Sequence, residues 1–62
     1  MNMHIRELPE LITHNGEVYW FVARRGEKWH LMFRTSDGPL TGQGIYWTRE
    51  AAIAAAYRYS SY

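Results

Sequence analysis

Apolar residues are concentrated in the middle of the chain in two runs, residues 17–25 and 28–35, and the longest uninterrupted apolar stretch runs from Val18 to Ala23. Short apolar runs bounded by turn residues are consistent with the strands of a β-sheet. The runs are joined by Gly26-Glu27, and glycine in the first of two loop positions suits a type II′ turn. The pattern therefore predicts a β-hairpin in which Arg25 lies opposite Lys28.

A second hairpin is predicted just before the first. Asn15-Gly16 separates residues 11–14 from the run that starts at residue 17, and Asn-Gly is the strongest short-range hairpin signal. A two-residue loop at these positions would place Leu11 opposite Trp20 and Ile12 opposite Tyr19. Residues 11–14 are therefore expected to form a strand beside residues 17–25.

Residues opposed across antiparallel strands share a face of the sheet, so the two predicted registers sort the side chains into two faces. The predicted core face collects Leu11, Val18, Trp20, Val22, Trp29, Leu31 and Phe33. The predicted outward face collects Ile12, Tyr19, Phe21, Ala23, Arg25, Lys28, His30, Met32 and Arg34. Because the outward face mixes aromatic and basic side chains, we interpret it as the working surface.

The remainder of the chain predicts one more strand and a helix. The residues Ser36-Asp37-Gly38-Pro39 are typical of a turn, and a strand is expected over residues 40–47. Thr48 then has the chemistry of a helix N-cap, and an alanine-rich helix is expected from residue 49 to about 59. The small side chains of Ala52, Ala55 and Ala56 would let this helix approach the large aromatic residues of the core face, with Ile53 beside them.

These elements predict an α+β fold: an antiparallel sheet of three to four strands with one C-terminal helix packed on one face. A chain of 62 residues forms a single domain, and one of this size buries only about 60% of the surface of its unfolded chain. Within it we expect an N-terminal arm or edge strand over residues 1–10, the sheet over 11–47 and the helix over 48–59. Ten residues are aromatic, more than so small a core easily hides. Some aromatic surface is expected to remain exposed.

The order of strands and helix resembles a known family of DNA-binding domains. The segment Ile45-Tyr46-Trp47-Thr48-Arg49-Glu50-Ala51-Ala52-Ile53-Ala54 is similar to the start of the helix in the APETALA-two domain of plant transcription factors, and the arm-binding domains of phage-type integrases are built similarly. The resemblance covers residues 18–57. It implies that Trp29 and Phe33 lie in the core, and that Lys28, Met32 and Arg34 face DNA. This chain departs from the family pattern at residues 19–22, where Tyr-Trp-Phe-Val replaces several arginines.

Residues typical of catalysis or metal binding are scarce. The chain has no cysteine, no glycine-flanked serine, no phosphate-binding glycine loop and no pair of carboxylates that either hairpin brings together. His4, His14 and His30 are too far apart in sequence for a local zinc motif. We therefore expect no enzymatic activity, no cofactor and no metal. The chain also shows no signal peptide and no apolar run of membrane-spanning length, so a cytoplasmic location is expected.

The candidate binding residues are those of the outward face that carry aromatic, sulfur or basic groups. They are Tyr19, Phe21, Arg25, Lys28, His30, Met32 and Arg34. Two hypotheses use this face: docking of a protein partner, or stacking and phosphate contacts with DNA or RNA. The net charge of +1 offers little non-specific affinity for nucleic acid, so a protein partner is the first choice.

Further expectations concern the role of the chain, its partners and its C-terminal tyrosines. A short module without an effector domain is interpreted as a regulator or inhibitor carried by a phage or mobile element. A homodimer remains an option, and no membrane partner is expected. Finally, Tyr57, Tyr59 and Tyr62 fit either a partner surface or the edge of the core.

Overall fold

The computed structural model describes residues 8–61, which form four strands and one helix. They are β1 (Glu10–Asn15), β2 (Val18–Arg25), β3 (Lys28–Arg34), β4 (Thr41–Tyr46) and α1 (Arg49–Ser60). The strands pair in chain order as one antiparallel sheet, and α1 packs on one of its faces. The predicted α+β class is confirmed, with four strands. Of the predicted arm at residues 1–10, residues 1–7 lie outside the described part and Glu10 begins β1.

The hairpin of β2 and β3 has the predicted register. Its pairs run without interruption from Arg25 opposite Lys28 to Tyr19 opposite Arg34. Gly26 opens the two-residue loop with φ +66°, a conformation that glycine adopts without a steric penalty. This regular hairpin supplies the two central strands, and it therefore fixes which side chains point toward the helix.

The turn between β1 and β2 lies one residue later than predicted. Asn15 pairs with Val18, so the two-residue loop is Gly16-Glu17 rather than Asn15-Gly16. Gly16 takes φ +64°, which makes this loop the counterpart of the one at Gly26. The shift moves β1 by two residues along β2. Because side chains alternate with a period of two, it leaves the assignment of faces unchanged.

A β-bulge at Ile12 does change the faces. Thr13 pairs with Trp20 and Leu11 pairs with Phe21, so Ile12 is the extra residue on β1. Beyond a bulge, residues that would have pointed inward point outward. Ile12 packs against the core, whereas Leu11 is 52% exposed on the opposite face. The prediction for these two residues was therefore wrong in both cases.

The edge strand β4 also contains an irregularity. Leu31 pairs with Gly44, but its neighbour Met32 pairs with Gly42, so Gln43 has no partner of its own on β3. A Cβ atom on Gly44 would lie 3.0 Å from the ring of Tyr46, which covers the strand there on the core side. Gly42, by contrast, has nothing within 4 Å of its Cβ position.

The core lies between the sheet and α1. Its buried members are Trp20, Val22, Leu31, Ala52, Ala55 and Ala56. The three alanines recur at the spacing of one helix face, and their small side chains allow close approach to the sheet, as the sequence predicted. Trp29 and Phe33 pack against this cluster but are only half-buried, unlike Trp20. The core is therefore centred on β2.

Both ends of the helix are tied to β1. The N-cap Thr48 accepts a hydrogen bond from the backbone N–H of Ala51 at 3.1 Å, which confirms the predicted helix start. The Arg49 guanidinium lies 2.8 Å from the Glu10 carboxylate, and this hydrogen bond raises the pKa of Arg49. At the other end, the Asn15 amide donates to the Ser60 carbonyl. The helix consequently runs alongside β1 in the same direction.

Candidate binding surface

The face of the sheet opposite the helix, the outward face, carries four rows of side chains that follow from the strand registers. The first row is His14, Tyr19 and Arg34, and the second is Leu11, Phe21, Met32 and the bare backbone of Gly42. The third is Ala23, His30 and Ile45, and the fourth is Arg25 and Lys28, with Trp47 beside Lys28. All seven predicted binding residues therefore lie on one surface. Ala23 shares this face but is buried.

The predicted residues differ in how much of each side chain is accessible. Arg25, Lys28 and Arg34 are exposed, and they lie in the first and fourth rows. The four others, Tyr19, Phe21, His30 and Met32, are half-buried between neighbouring side chains in the first three rows. The outward face is thus apolar and aromatic in its middle and basic at its two ends.

Three large apolar residues of this surface were not among the predicted binding residues. Leu11, Ile45 and Trp47 are 52%, 60% and 71% exposed. Leu11 was missed because the bulge at Ile12 has no local sequence signal. Ile45 and Trp47 did have a local sequence signal. They flank the inward-facing Tyr46, so the alternation of side chains along a strand places them on the outward side.

Two contacts that involve aromatic rings lie at opposite ends of the surface. The Lys28 ammonium lies 4.4 Å from the centroid of the Trp47 ring, within cation–π range. At the opposite end the rings of His14 and Tyr19 stack with centroids 5.2 Å apart and planes at 25°. Each contact joins an exposed side chain, Lys28 or His14, to a neighbouring ring, and a side chain restrained in this way loses less conformational entropy when a partner binds.

The arginine heads are held by nearby carbonyl groups. Arg34 donates from Nε to the Thr35 carbonyl at 3.3 Å and from Nη2 to the Ser36 carbonyl at 3.4 Å. Arg25 donates from Nη1 to the Arg24 carbonyl at 3.2 Å. These carbonyl groups carry no formal charge, and both arginine residues are exposed.

Within residues 8–61, no carboxylate lies in the four rows. Glu17 and Glu27 lie in the hairpin loops, Asp37 lies in the loop after β3, and Glu50 lies in the first turn of α1. Glu10 lies at the start of β1, paired with Arg49. Among residues 8–61, the four rows therefore combine apolar area with positive charge.

A shallow pit of about 380 Å³ lies at one end of the outward face. It is lined by Tyr19, Phe21, Arg34 and Ser36, and it is open to solvent. A turn closed by the Gly38 N–H and the Thr35 carbonyl holds Ser36 in place, and Arg34 donates to the same segment. The pit, called the Tyr19 pit below, thus has an aromatic floor and a guanidinium on its rim.

Other predicted features fall outside this surface. Tyr59 stacks on Trp20 at the edge of the core, Tyr57 is exposed on the helix, and Tyr62 lies outside the described residues, as does His4. In the described part of the chain, no three His, Asp or Glu side chains are grouped so that they could hold a metal ion. No helix among these residues is long and apolar enough to span a membrane.

Comparison with family models, curated proteins and solved structures found no match to this chain. The resemblance to the APETALA-two domain and to the integrase arm-binding domains therefore stays a prediction.

Proposed function

We propose that this protein is a non-enzymatic protein-interaction module that binds an acidic protein partner through the outward face. The observation that carries the proposal is the exposure of Leu11, Ile45 and Trp47 on the face that also holds Arg25, Lys28 and Arg34. Aromatic side chains, methionine and arginine are enriched at protein interfaces, whereas isolated monomers rarely leave such groups contiguous.

Charge complementarity favours an acidic partner. The described residues place no carboxylate in the four rows, so a partner that offers Asp or Glu around an apolar centre would match both parts of the face. A second copy of this chain, docked face to face, would bring like charges together and is disfavoured. A regulator or inhibitor role would follow from occupying a partner's own acidic binding site.

Nucleic-acid binding through the same face is the second candidate. Three exposed cations beside aromatic rings favour it, and so does the predicted resemblance to a sheet that enters a DNA groove. Against it, Leu11 and Ile45 offer apolar area that a phosphate backbone does not match. Exposed aliphatic side chains on two edge strands fit a protein partner better than a nucleic acid. Nucleic-acid binding therefore ranks below protein binding.

Site-specific photo-cross-linking tests the proposal. Trp47 is replaced with p-benzoylphenylalanine, and Tyr57, which is exposed on the helix side, receives the same group as a matched control. In nuclease-treated lysate of the cells that make the protein, we expect a discrete cross-linked protein from position 47 only. Mass spectrometry should locate the cross-link in a segment rich in Asp and Glu.

Three outcomes would contradict the proposal. The cross-linked species could appear only in lysate that has not been treated with nuclease, which would favour nucleic acid. It could form equally from positions 47 and 57, which would place binding elsewhere. It could also join the chain to a basic segment, which would remove the argument from charge.

A further inference from the structure

The Tyr19 pit adds chemical detail to the proposed function. It lies at the end of the outward face formed by the first two rows, away from Trp47, which lies beside the fourth row. Its floor is formed by Tyr19 and Phe21, both half-buried, and its rim by the exposed guanidinium of Arg34. A volume of about 380 Å³ is near the low end for ligand pockets, but this pit is open on one side. That shape suits one inserted side chain rather than a whole small molecule.

The rim of the pit retains capacity for hydrogen bonding. Arg34 carries five N–H donors, and two of them bond to the carbonyls of Thr35 and Ser36. These two bonds point the guanidinium along the loop. The other donors have no hydrogen-bond partner among the described residues. Because a guanidinium pairs most favourably with a carboxylate, the chemistry of this rim favours an anionic oxygen.

We propose that the Tyr19 pit is the anchor subsite of the interface, and that it takes an aromatic side chain flanked by carboxylates on an acidic segment of the partner protein. The ring stacks on Tyr19 and Phe21, and a flanking carboxylate pairs with Arg34. Stacking of His14 on Tyr19 and the turn that holds Ser36 keep the pit in shape before binding. This inference rests on the proposed function, because it names the chemistry of the same partner.

The loop beside the pit supplies a further check. Asp37 follows Ser36 directly, so it is the carboxylate nearest in sequence to the pit lining. Removing its charge with Asp37→Asn should favour an acidic ligand. Adding a negative charge with Arg34→Glu should do the opposite and should favour a basic ligand.

The test is a titration of the ¹⁵N-labelled protein, followed by NMR, with the blocked peptide acetyl-Gly-Asp-Phe-Asp-Gly-amide. We expect an affinity of the order of a millimolar, with shifts centred on Tyr19, Phe21, Arg34 and Ser36. Arg34→Glu should weaken binding by at least about fivefold, and Asp37→Asn should strengthen it up to about twofold. Arg24→Glu, an exposed arginine of the same strand pair that lies outside the four rows, is the matched control and should change little.

Two comparison ligands complete the experiment. The peptide with lysine in place of both aspartates should not bind the native protein, and Arg34→Glu should bind it. A short thymidine oligonucleotide should leave the pit residues unshifted. Equal binding of the lysine peptide to the native protein, shifts centred on Tyr57, or pit shifts caused by the oligonucleotide would each overturn the inference.

Failure of this inference can be told apart from failure of the proposed function. If position 47 cross-links to an acidic protein but the peptide does not shift the pit, the interface stands and the pit is not its anchor. If position 47 gives no cross-linked protein, the proposed function falls, whatever the peptide does.

Discussion

The ring of Tyr59, in the last turn of α1, stacks on the ring of Trp20 in β2, with centroids 5.5 Å apart and planes at 15°. Trp20 also contacts Phe33, at a centroid distance of 5.2 Å. This tryptophan therefore joins β2 to the neighbouring strand and to the helix. It is the largest side chain of the buried cluster.

Replacing Trp20 should destabilise the domain more than replacing Trp29. Trp20→Ala removes a buried ring and its aromatic contacts, and we expect a loss of about 3 to 5 kcal/mol in the free energy of unfolding. Trp29 is only half-buried, so Trp29→Ala should cost less. Chemical denaturation of both variants measures the difference. A larger effect at Trp29 would show that the centre of the core has been placed on the wrong strand.

Alanine should destabilise the protein at the glycine of each hairpin loop, but not at the glycine Gly42 of β4. Gly16 and Gly26 have φ near +65°, where alanine is strained, so each substitution by alanine should cost about 1 to 2 kcal/mol. Gly42→Ala is the control, because φ is not positive there and its Cβ position is free of contacts. That variant should be neutral or slightly more stable. Thermal melts distinguish these cases, and equal effects at all three glycines would contradict the loop assignment.

The N-cap should contribute more to stability than the ion pair beside it. Thr48→Ala leaves the Ala51 N–H without its partner and should cost about 1 kcal/mol. The Arg49–Glu10 pair joins side chains that are 43% and 53% exposed, so Glu10→Gln should cost well under 1 kcal/mol. Repeating the melts at high salt should shrink only the effect at Glu10. An ion-pair effect that survives high salt would contradict this ranking.

Binding to duplex DNA should be weak and should depend on few charges. With Arg25, Lys28 and Arg34 as the exposed cations of the outward face, the slope of log affinity against log salt should not exceed about three in magnitude. Alanine at any of the three should lower that slope by about one. Fluorescence anisotropy with a labelled duplex over a range of salt concentrations measures it. Tight binding that is lost with Arg34→Ala would reverse the order of the two proposed functions.

The central hairpin was predictable because its two-residue loop fixes the register. Gly26 sets the turn, and from there each pair between β2 and β3 follows by counting. The helix was predictable for a similar reason: Thr48 marks its start, and the spacing of Ala52, Ala55 and Ala56 marks its buried face.

The edge strands were less predictable because a β-bulge depends on tertiary packing and leaves no local sequence signal. In β1 the segment Leu11-Ile12-Thr13 contains no glycine to mark the bulge, yet Ile12 points to the core and Leu11 to the opposite face. In β4 the register depends on a connection of several residues rather than on a tight loop. Ile45 and Trp47 could thus be assigned to a face by alternation, but not to particular neighbours.

The attachment of α1 alongside β1 makes the first and last elements of the fold depend on each other. Their two hydrogen-bonded links, Arg49 to Glu10 and Asn15 to Ser60, join residues 39 and 45 positions apart in the chain. During synthesis β1, β2 and β3 emerge from the ribosome well before the helix that covers Trp20. Until α1 is made, the inner face of the sheet stays open to water and to other chains. A chain truncated within α1 should therefore be an aggregation-prone sheet rather than a smaller folded domain.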